Sequence, residues 1–506
     1  MNLLERHAPQ IAMVLSCYDR LIIQGTLQHV GYADGMRRHL FSRHVRIFDF
    51  PLYARTFTAL QCTHMQRLAA RHHLTIQFVA KASTRKEDLI ADIVVRRGNH
   101  PGIVAILSAM ESCTSFRPWH DKNTHRTFLR HTGGKCLHYY VYFIDPDYGL
   151  CHLRIPTWLP AGLQFYCNGH SYVARQLTKK GVSYRMADNL FLAIADPIAA
   201  QTIADAFSPH ALHGLLERCV RAFCPIAAAI GDSYHWSISQ AEYATDVLFK
   251  RQQDLAAVYE HLTRTAIHTV KPDAVATFLG HRLSAAFNDE LGNRFDTRIL
   301  GTRIRHSMGP AAIKMYDKAG IALRIESSTV DVRFFSRRRP VHRRDGTVAL
   351  IVAPLRKAIF SLPALRTCLH SANRRYLDFI SHFDCPAAGA HALCRITTTV
   401  TANQRPYAGL NFFDPNDLAL LTTIARGDAC ISGLRNKHIR AHLKSPSPNA
   451  VSRALKRLRV HGLIRRVVHT YKYYLTALGR RVVTLALRIR QLIIIPSLAR
   501  PATIVP

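Results

Sequence analysis

Acidic residues are scarce in this chain: 33 Asp and Glu stand against 68 Lys and Arg in 506 residues, a formal net charge of +35. So large an excess disfavours basic partners and attracts phosphates. Paired cysteines are also missing. The twelve cysteines are scattered singly, several inside apolar runs (Cys17, Cys136, Cys151, Cys167), which excludes a zinc finger or disulfide framework and suits reduced, buried thiols. No HExxH or His-hydrophobe-His spacing brings His138, His152, His170 or His235 into a recognisable metal motif. There is no apolar run of about 18 residues and no cationic, apolar leader. A cytoplasmic protein with no membrane partner is therefore expected, and no internal repeat is visible.

What is present is a 48% hydrophobic chain, long enough for several cores. Strand and helix patterns alternate, so the expected fold class is α/β (α+β) and multidomain, with a mixed-sheet N-terminal body, a helical insert and a C-terminal winged helix-turn-helix. The expected divisions are an α/β domain over 1–195, a helical subdomain over 196–290, a β-rich segment over 291–352, a helical linker over 353–410 and a winged helix over 411–490.

In the first division, 11–27 reads as two strands bracketing Cys17 to Arg20, and 44–51 as another strand. Helices are expected around 55–72 and 85–97, and 135–158 reads as a hairpin turning at Asp145, Pro146, Asp147 and Gly149. A strand, an NGH turn and a helix follow. The stretch 197–265 reads as helical, and in it Glu242 and Asp246, four residues apart on one helical face, either join Asp19 and Asp145 in a two-metal carboxylate cluster or leave Asp246 to pair with Lys250 one turn on. Tyr139, Tyr140, Tyr142, Phe143, Trp158, Phe165 and Tyr166 interleave with Lys135, Arg154 and Arg175, either as core or as a surface for stacking bases.

The C-terminal segment carries the clearest order of elements. A helix over 417–426 ends at Gly427, a second over 434–443 stops at the Pro446 and Pro448 turn, and a third is capped by Ser447 or Asn449. Val451, Leu455 and Leu458 share one face of the third helix, leaving Ser452, Arg453, Lys456, Arg457 and Arg459 to enter a DNA groove. After Gly462, two β-branched and aromatic runs form a wing turning near His469 and Thr470, with Arg465, Arg466 and Lys472 placed for phosphates. This order resembles the winged-helix domain of MarR-like regulators, which implies duplex DNA as partner. Single-stranded DNA or RNA and a homodimer are further candidates.

The most suggestive internal stretch is 301–329. Two strands, AAIKMYDK and IALRIESS, meet at a turn of Ala319 and Gly320, with Lys314, Tyr316 and Lys318 on one face and Arg324 and Glu326 sharing a face. Glu326 is placed either as a metal ligand and catalytic carboxylate beside DNA-contacting Lys314, Lys318 and Arg324, or as one partner of a structural salt bridge. Asp19 and Asp145 end apolar strands, where a carboxylate serves either a metal cluster or a turn. The candidate catalytic set is thus Glu326, Asp19 and Asp145, with Mg²⁺ or Mn²⁺ if the protein is a nuclease.

The YDK strand followed by an R-x-E strand resembles the core of rolling-circle replication initiators. That resemblance implies a nicking-site role for Glu326, with Tyr316, Asp317 and Lys318 as its structural neighbours; the run 298–307 holds no tyrosine. The strings CLHYY, GTRI, IKMYDK and VHGLI resemble those of a bacterial family carried by mobile elements. The expected function is DNA binding in replication or transposition of such an element, with a metal-dependent nuclease or rolling-circle-like initiator, and a transcription regulator without catalysis, as alternatives.

Overall fold

One eleven-stranded sheet organises the first three quarters of the chain. Its strands are β1 (Ile11–Leu27), β2 (Ile76–Phe78), β3 (Gly102–Asp121), β4 (Arg126–Asp145), β5 (Gly149–Pro156), β6 (Leu163–Cys167), β9 (Tyr234–Phe249), β10 (Phe295–Leu300), β11 (Arg303–Met308), β12 (Ala311–Lys318) and β13 (Ala322–Thr329), while β7 (Tyr184–Ala187) and β8 (Leu190–Ile194) form a separate hairpin. The order across the sheet is β10-β11-β12-β13-β9-β1-β6-β5-β4-β3-β2. Every pairing is antiparallel except β2 with β3. The computed structural model describes residues 3–81, 83–281, 295–343, 345–381, 393–426, 433–443, 447–467, 470–495 and 498. The chain divides into two compact units, Met1–Asp384 and Cys385–Pro506.

Alternation along the strands gives the sheet two unlike faces. One is apolar and is covered by helices Ala33–Ser42, Phe50–Arg71, Pro209–Phe223, Gln252–Thr269 and Leu362–Ser381 around residues such as Ile23, Val141, Phe165 and Val247. The other carries two separate covers. Helices Gly169–Lys179 and Pro197–Asp205 with the β7–β8 hairpin pack on Met13, Leu15, Leu248 and Ala322, and helix Lys86–Arg97 packs on Ala105, Leu107 and Tyr142. Beside these covers runs a polar strip.

Several expectations are corrected. Residues 11–27 form one strand with bulges instead of two strands. The stretch 44–51 is no strand: it is a short 3₁₀ turn, Ile47–Asp49, leading into helix Phe50–Arg71. The helical reading of 197–265 fails at β9, where Tyr234, Trp236, Ile238, Tyr243, Thr245 and Val247 outweigh the helix preference of Gln240, Ala241, Glu242 and Ala244 once both strand edges are paired. Since β9 joins β1 to β13, the sheet runs on across positions 195 and 290, while position 352 lies beyond its last strand.

In the C-terminal unit, helices Pro415–Ile424, Asn436–His442 and Pro448–Val460 are followed by the paired strands Ile464–Arg466 and Tyr473–Leu475 and by helix Ala477–Ile489. Asp414 caps the first of these helices and Ser447 the third, each accepting backbone N–H bonds. Ile424, Ile439, Val451, Leu455, Leu458 and Val483 build the core. Gly427, Pro446 and His469, expected at turns, lie outside the described residues.

Candidate functional site

The polar strip is built around a bulge in β1. Tyr18 pairs with Tyr243 and Arg20 with Glu242, so Asp19 is an extra residue opposite β9. A bulge re-aims side chains, and here both Asp19 and Arg20 face the strip. Tyr18 turns the other way, its ring 5.3 Å from that of Tyr243 in the apolar layer. On β9, Glu242 and Asp246 share the strip through two-residue alternation, and on β13 so do Arg324 and Glu326. Lys314 lies opposite Glu326 and Tyr316 opposite Arg324 in the β12–β13 register.

This register gathers three carboxylates. Ligand atoms of Asp19, Glu242 and Glu326 lie within 4.8 Å of one another, and all three residues are buried. Lys314 Nζ stands among them, 2.5 Å from Glu326 Oε1 and 3.4 Å from Glu242 Oε1. Tyr316 donates its hydroxyl to Glu326 Oε2 at 3.0 Å, Gln240 donates to Glu242 Oε1 at 2.9 Å, and Arg20 Nε lies 3.8 Å from Glu242 Oε2. Burial raises the Glu326 pKa above its usual value. Lys314 opposes that rise, and the neighbouring Glu242 and Asp19 add to it.

Beside the three carboxylates lies a buried charged layer. Arg324 is fully buried and makes a two-pronged contact with Asp246, Nε to Oδ1 at 2.5 Å and Nη2 to Oδ2 at 2.7 Å. His170 bridges the two acids, with Nδ1 3.1 Å from Asp19 Oδ1 and Nε2 3.2 Å from Asp246 Oδ2. Asn168 and Asn189 donate to Asp19 Oδ1 at 3.3 and 2.5 Å. Burial would raise the Asp19 pKa, but His170, Arg324 and Lys318 hold it well below the ordinary range. Burial likewise opposes an imidazolium at His170, yet Cys17, Asp19 and Asp246 lift its pKa well above the usual value.

Local sequence explains this support. Asn168 caps helix Gly169–Lys179, which starts directly against the bulge: a Cβ on Gly169 would sit 2.1 Å from the Tyr18 carbonyl oxygen. Glycine there lets His170 reach under Asp19. Farther along the strip, His152 stacks on Tyr166 with ring centroids 5.1 Å apart. Gln24, Thr26, Ser112, His138 and Arg154 line a cavity of about 360 Å³. Glu111 accepts from Tyr140, Arg154 and Lys86 at 2.6, 3.1 and 2.9 Å.

Of the expected catalytic set, Asp19 and Glu326 meet. Asp145 does not join them: it ends β4, three strand steps from β1 or about 14 Å, and accepts the backbone N–H groups of Asp147 and Tyr148 as a turn former. Its place is taken by Glu242. Asp246 pairs with Arg324, not with Lys250. Arg324 is correspondingly removed from any role at a DNA surface, and Lys314 is engaged by the carboxylates. Lys318 contacts Asp188 at 3.2 Å. Tyr139, Phe143 and Phe165 lie in the apolar core, whereas Tyr140, Tyr142 and Tyr166 lie on the strip's face.

In the C-terminal unit Arg453, Arg459, Arg465 and Arg466 are exposed, Lys456 and Lys472 half-buried, and Ser452 accepts from Asn436 Nδ2 at 3.0 Å. Arg457 is the correction there. It binds Asp417 through both carboxylate oxygens at 2.7 and 2.8 Å, along with the carbonyls of Ala408 and Gly409, so its guanidinium is an internal clamp. Sequence reasoning missed His170, Asn168 and Asn189 as Asp19 partners. The NGH turn at 168–170 signals a cap, but nothing marks Asn189.

Three carboxylates offer only oxygen donors, the set suited to hard divalent cations such as Mg²⁺ and Mn²⁺. No helix among the described residues is long and apolar enough to cross a membrane. No family model, curated protein or solved structure matches the chain.

Proposed function

We propose that the chain acts on DNA, with Asp19, Glu242 and Glu326 holding Mg²⁺ or Mn²⁺ for phosphodiester cleavage or transfer and the C-terminal unit binding duplex DNA as a winged helix. The single observation carrying this reading is the convergence of three buried carboxylates from three neighbouring strands in a chain of net charge +35. A bound cation would act as a Lewis acid on a phosphate oxygen and lower the pKa of a bound water. Arg20 stands beside the carboxylates with its side chain half exposed, its charge suited to a phosphodiester. The helix–helix–helix–hairpin order of the C-terminal unit, with Arg453 and Arg459 exposed, supports the winged-helix assignment. Cleavage joined to duplex binding suits replication or transposition of a mobile element.

A regulator without catalysis is the second reading, and Lys314 favours it, since its ammonium already neutralises Glu326 and Glu242. Incubation with labelled single- and double-stranded DNA, with and without Mg²⁺ or Mn²⁺, separates the two. The nuclease reading expects metal-dependent products that Glu242→Gln abolishes while DNA binding persists. Binding without cleavage under every metal condition would establish the regulator.

A further inference from the structure

A second basic feature lies outside the carboxylate strip. After β13 the chain forms a two-stranded ribbon of β14 (Ser336–His342) and β15 (Val348–Pro354), followed by a 3₁₀ turn, Ile359–Ser361. Between ribbon and turn lies a cleft of about 630 Å³, lined by Arg337, Arg338, Arg339, Arg356, Phe360 and Ser361, with no carboxylate in its lining. The ribbon pairs with no further strand among the described residues.

Among the described residues the guanidiniums are left without acidic partners. Asp331, the nearby carboxylate in sequence, is engaged by Arg333 at 2.7 Å and Lys357 at 3.9 Å. Asp345 at the ribbon tip binds Thr347. Among the described residues no ion pair involves Arg337, Arg338 or Arg356, and Arg339 is anchored instead to the carbonyls of Pro354 and Pro340 at 3.0 and 3.3 Å. Arg337 and Arg339 share one face of the ribbon and Arg338 the other, and the like charges that they and Arg356 bring to the lining repel one another, a cost that a bound anion relieves. Phe360 is 51% exposed, and its ring is braced by His210 and His213 at centroid distances of 5.0 and 6.0 Å.

We propose that this cleft binds single-stranded nucleic acid, with the arginines on consecutive phosphates and Phe360 stacked on an unpaired base. Guanidinium forks match phosphate oxygens, and a stacking ring beside a basic groove is the combination that holds single strands without reading sequence. A purely carboxylate partner would make no use of the exposed ring. Ala358 pairs with Ser237 on β9, five residues before Glu242 and about 17 Å from it along the strand.

The test uses the full chain in EDTA, so that it does not depend on the metal reading, and follows the anisotropy of a fluorescein-labelled oligothymidylate. Reversal of three charges (R337E, R338E and R356E together) is expected to weaken binding at least tenfold. It should also reduce the slope of log Kd against log salt by about 2, given about 0.7 per phosphate contact on single strands. The corresponding lysine variant keeps most of the affinity, which excludes misfolding as the cause. Phe360→Ala weakens oligothymidylate binding several-fold and leaves duplex binding unchanged. Unchanged affinity in the charge-reversed variant overturns the proposal, as does equal weakening of single-stranded and duplex DNA by Phe360→Ala.

Discussion

Arg324 is the largest fully buried side chain among the described residues, and its charge is tolerable only because Asp246 meets it through two hydrogen bonds with Asp19 close by. Arg324→Met strands these acids without their strongest counter-charge, and breaking a buried pair costs about 3–5 kcal/mol. A large fall in the thermal midpoint of the N-terminal unit is expected; a midpoint within a degree or two of wild type would show that the pair is not structurally required. Glu111 offers a pH test. Burial raises its pKa, but Tyr140, Lys86 and Arg154 outweigh this and bring it down to about 2. A depressed carboxylate stabilises the fold above its unfolded pKa, and that contribution is lost as pH falls toward the folded value. The stability gap between wild type and Glu111→Gln should therefore narrow from pH 5 to about pH 2. A gap that widens on acidification would contradict the assignment.

At the scale of elements, the bulge in β1 and the start of helix Gly169–Lys179 form one device. The bulge turns Asp19 into the strip, and the glycine contact brings His170 beneath it. Gly169→Ala should push the helix away from Tyr18 and weaken divalent-cation binding while leaving the rest of the sheet folded. Unchanged cation affinity would detach the helix from the site's geometry. In the C-terminal unit the third helix has two kinds of arginine. Arg457→Ala removes the Asp417 clamp and should destabilise that unit by about 1.5–3 kcal/mol, the range for hydrogen bonds to charged groups. Arg453→Ala should leave stability within about 0.5 kcal/mol and weaken duplex binding in a gel-shift titration. The opposite pattern would place Arg457, not Arg453, at the DNA.

Across the whole molecule, the hairpins and the β12–β13 pair were legible because their turns carry strong local signals, Asp145 to Gly149 and Ala319–Gly320. Alternation groups Lys314 with Tyr316 on one strand and Arg324 with Glu326 on the next, and the pairing register then brings the two groups together. Glu242 is legible as a candidate carboxylate, but on a helix face instead of a strand. Its neighbours Gln240, Ala241 and Ala244 favour a helix, and only the long-range pairing of β9 with β1 and β13 makes it a strand. The bulge at Asp19 is also a property of pairing, invisible in one strand alone. Asp145 misled because a carboxylate at a strand end reads the same whether it serves a turn or a cation. The spread of basic residues along the chain was plain from composition, but the separation of structural guanidiniums (Arg324, Arg457) from exposed ones needed the packing.

The central claim is that Asp19, Glu242 and Glu326 form one divalent-cation site, and calorimetric titration of the full chain with Mn²⁺ tests it most directly. One Mn²⁺ per chain is expected, with affinity lowered at least tenfold by Glu242→Gln and by Asp19→Asn and unaffected by Asp145→Asn. No saturable Mn²⁺ binding, or binding that survives both substitutions, would mean that Lys314 is the carboxylates' permanent counter-charge and that the cluster is structural.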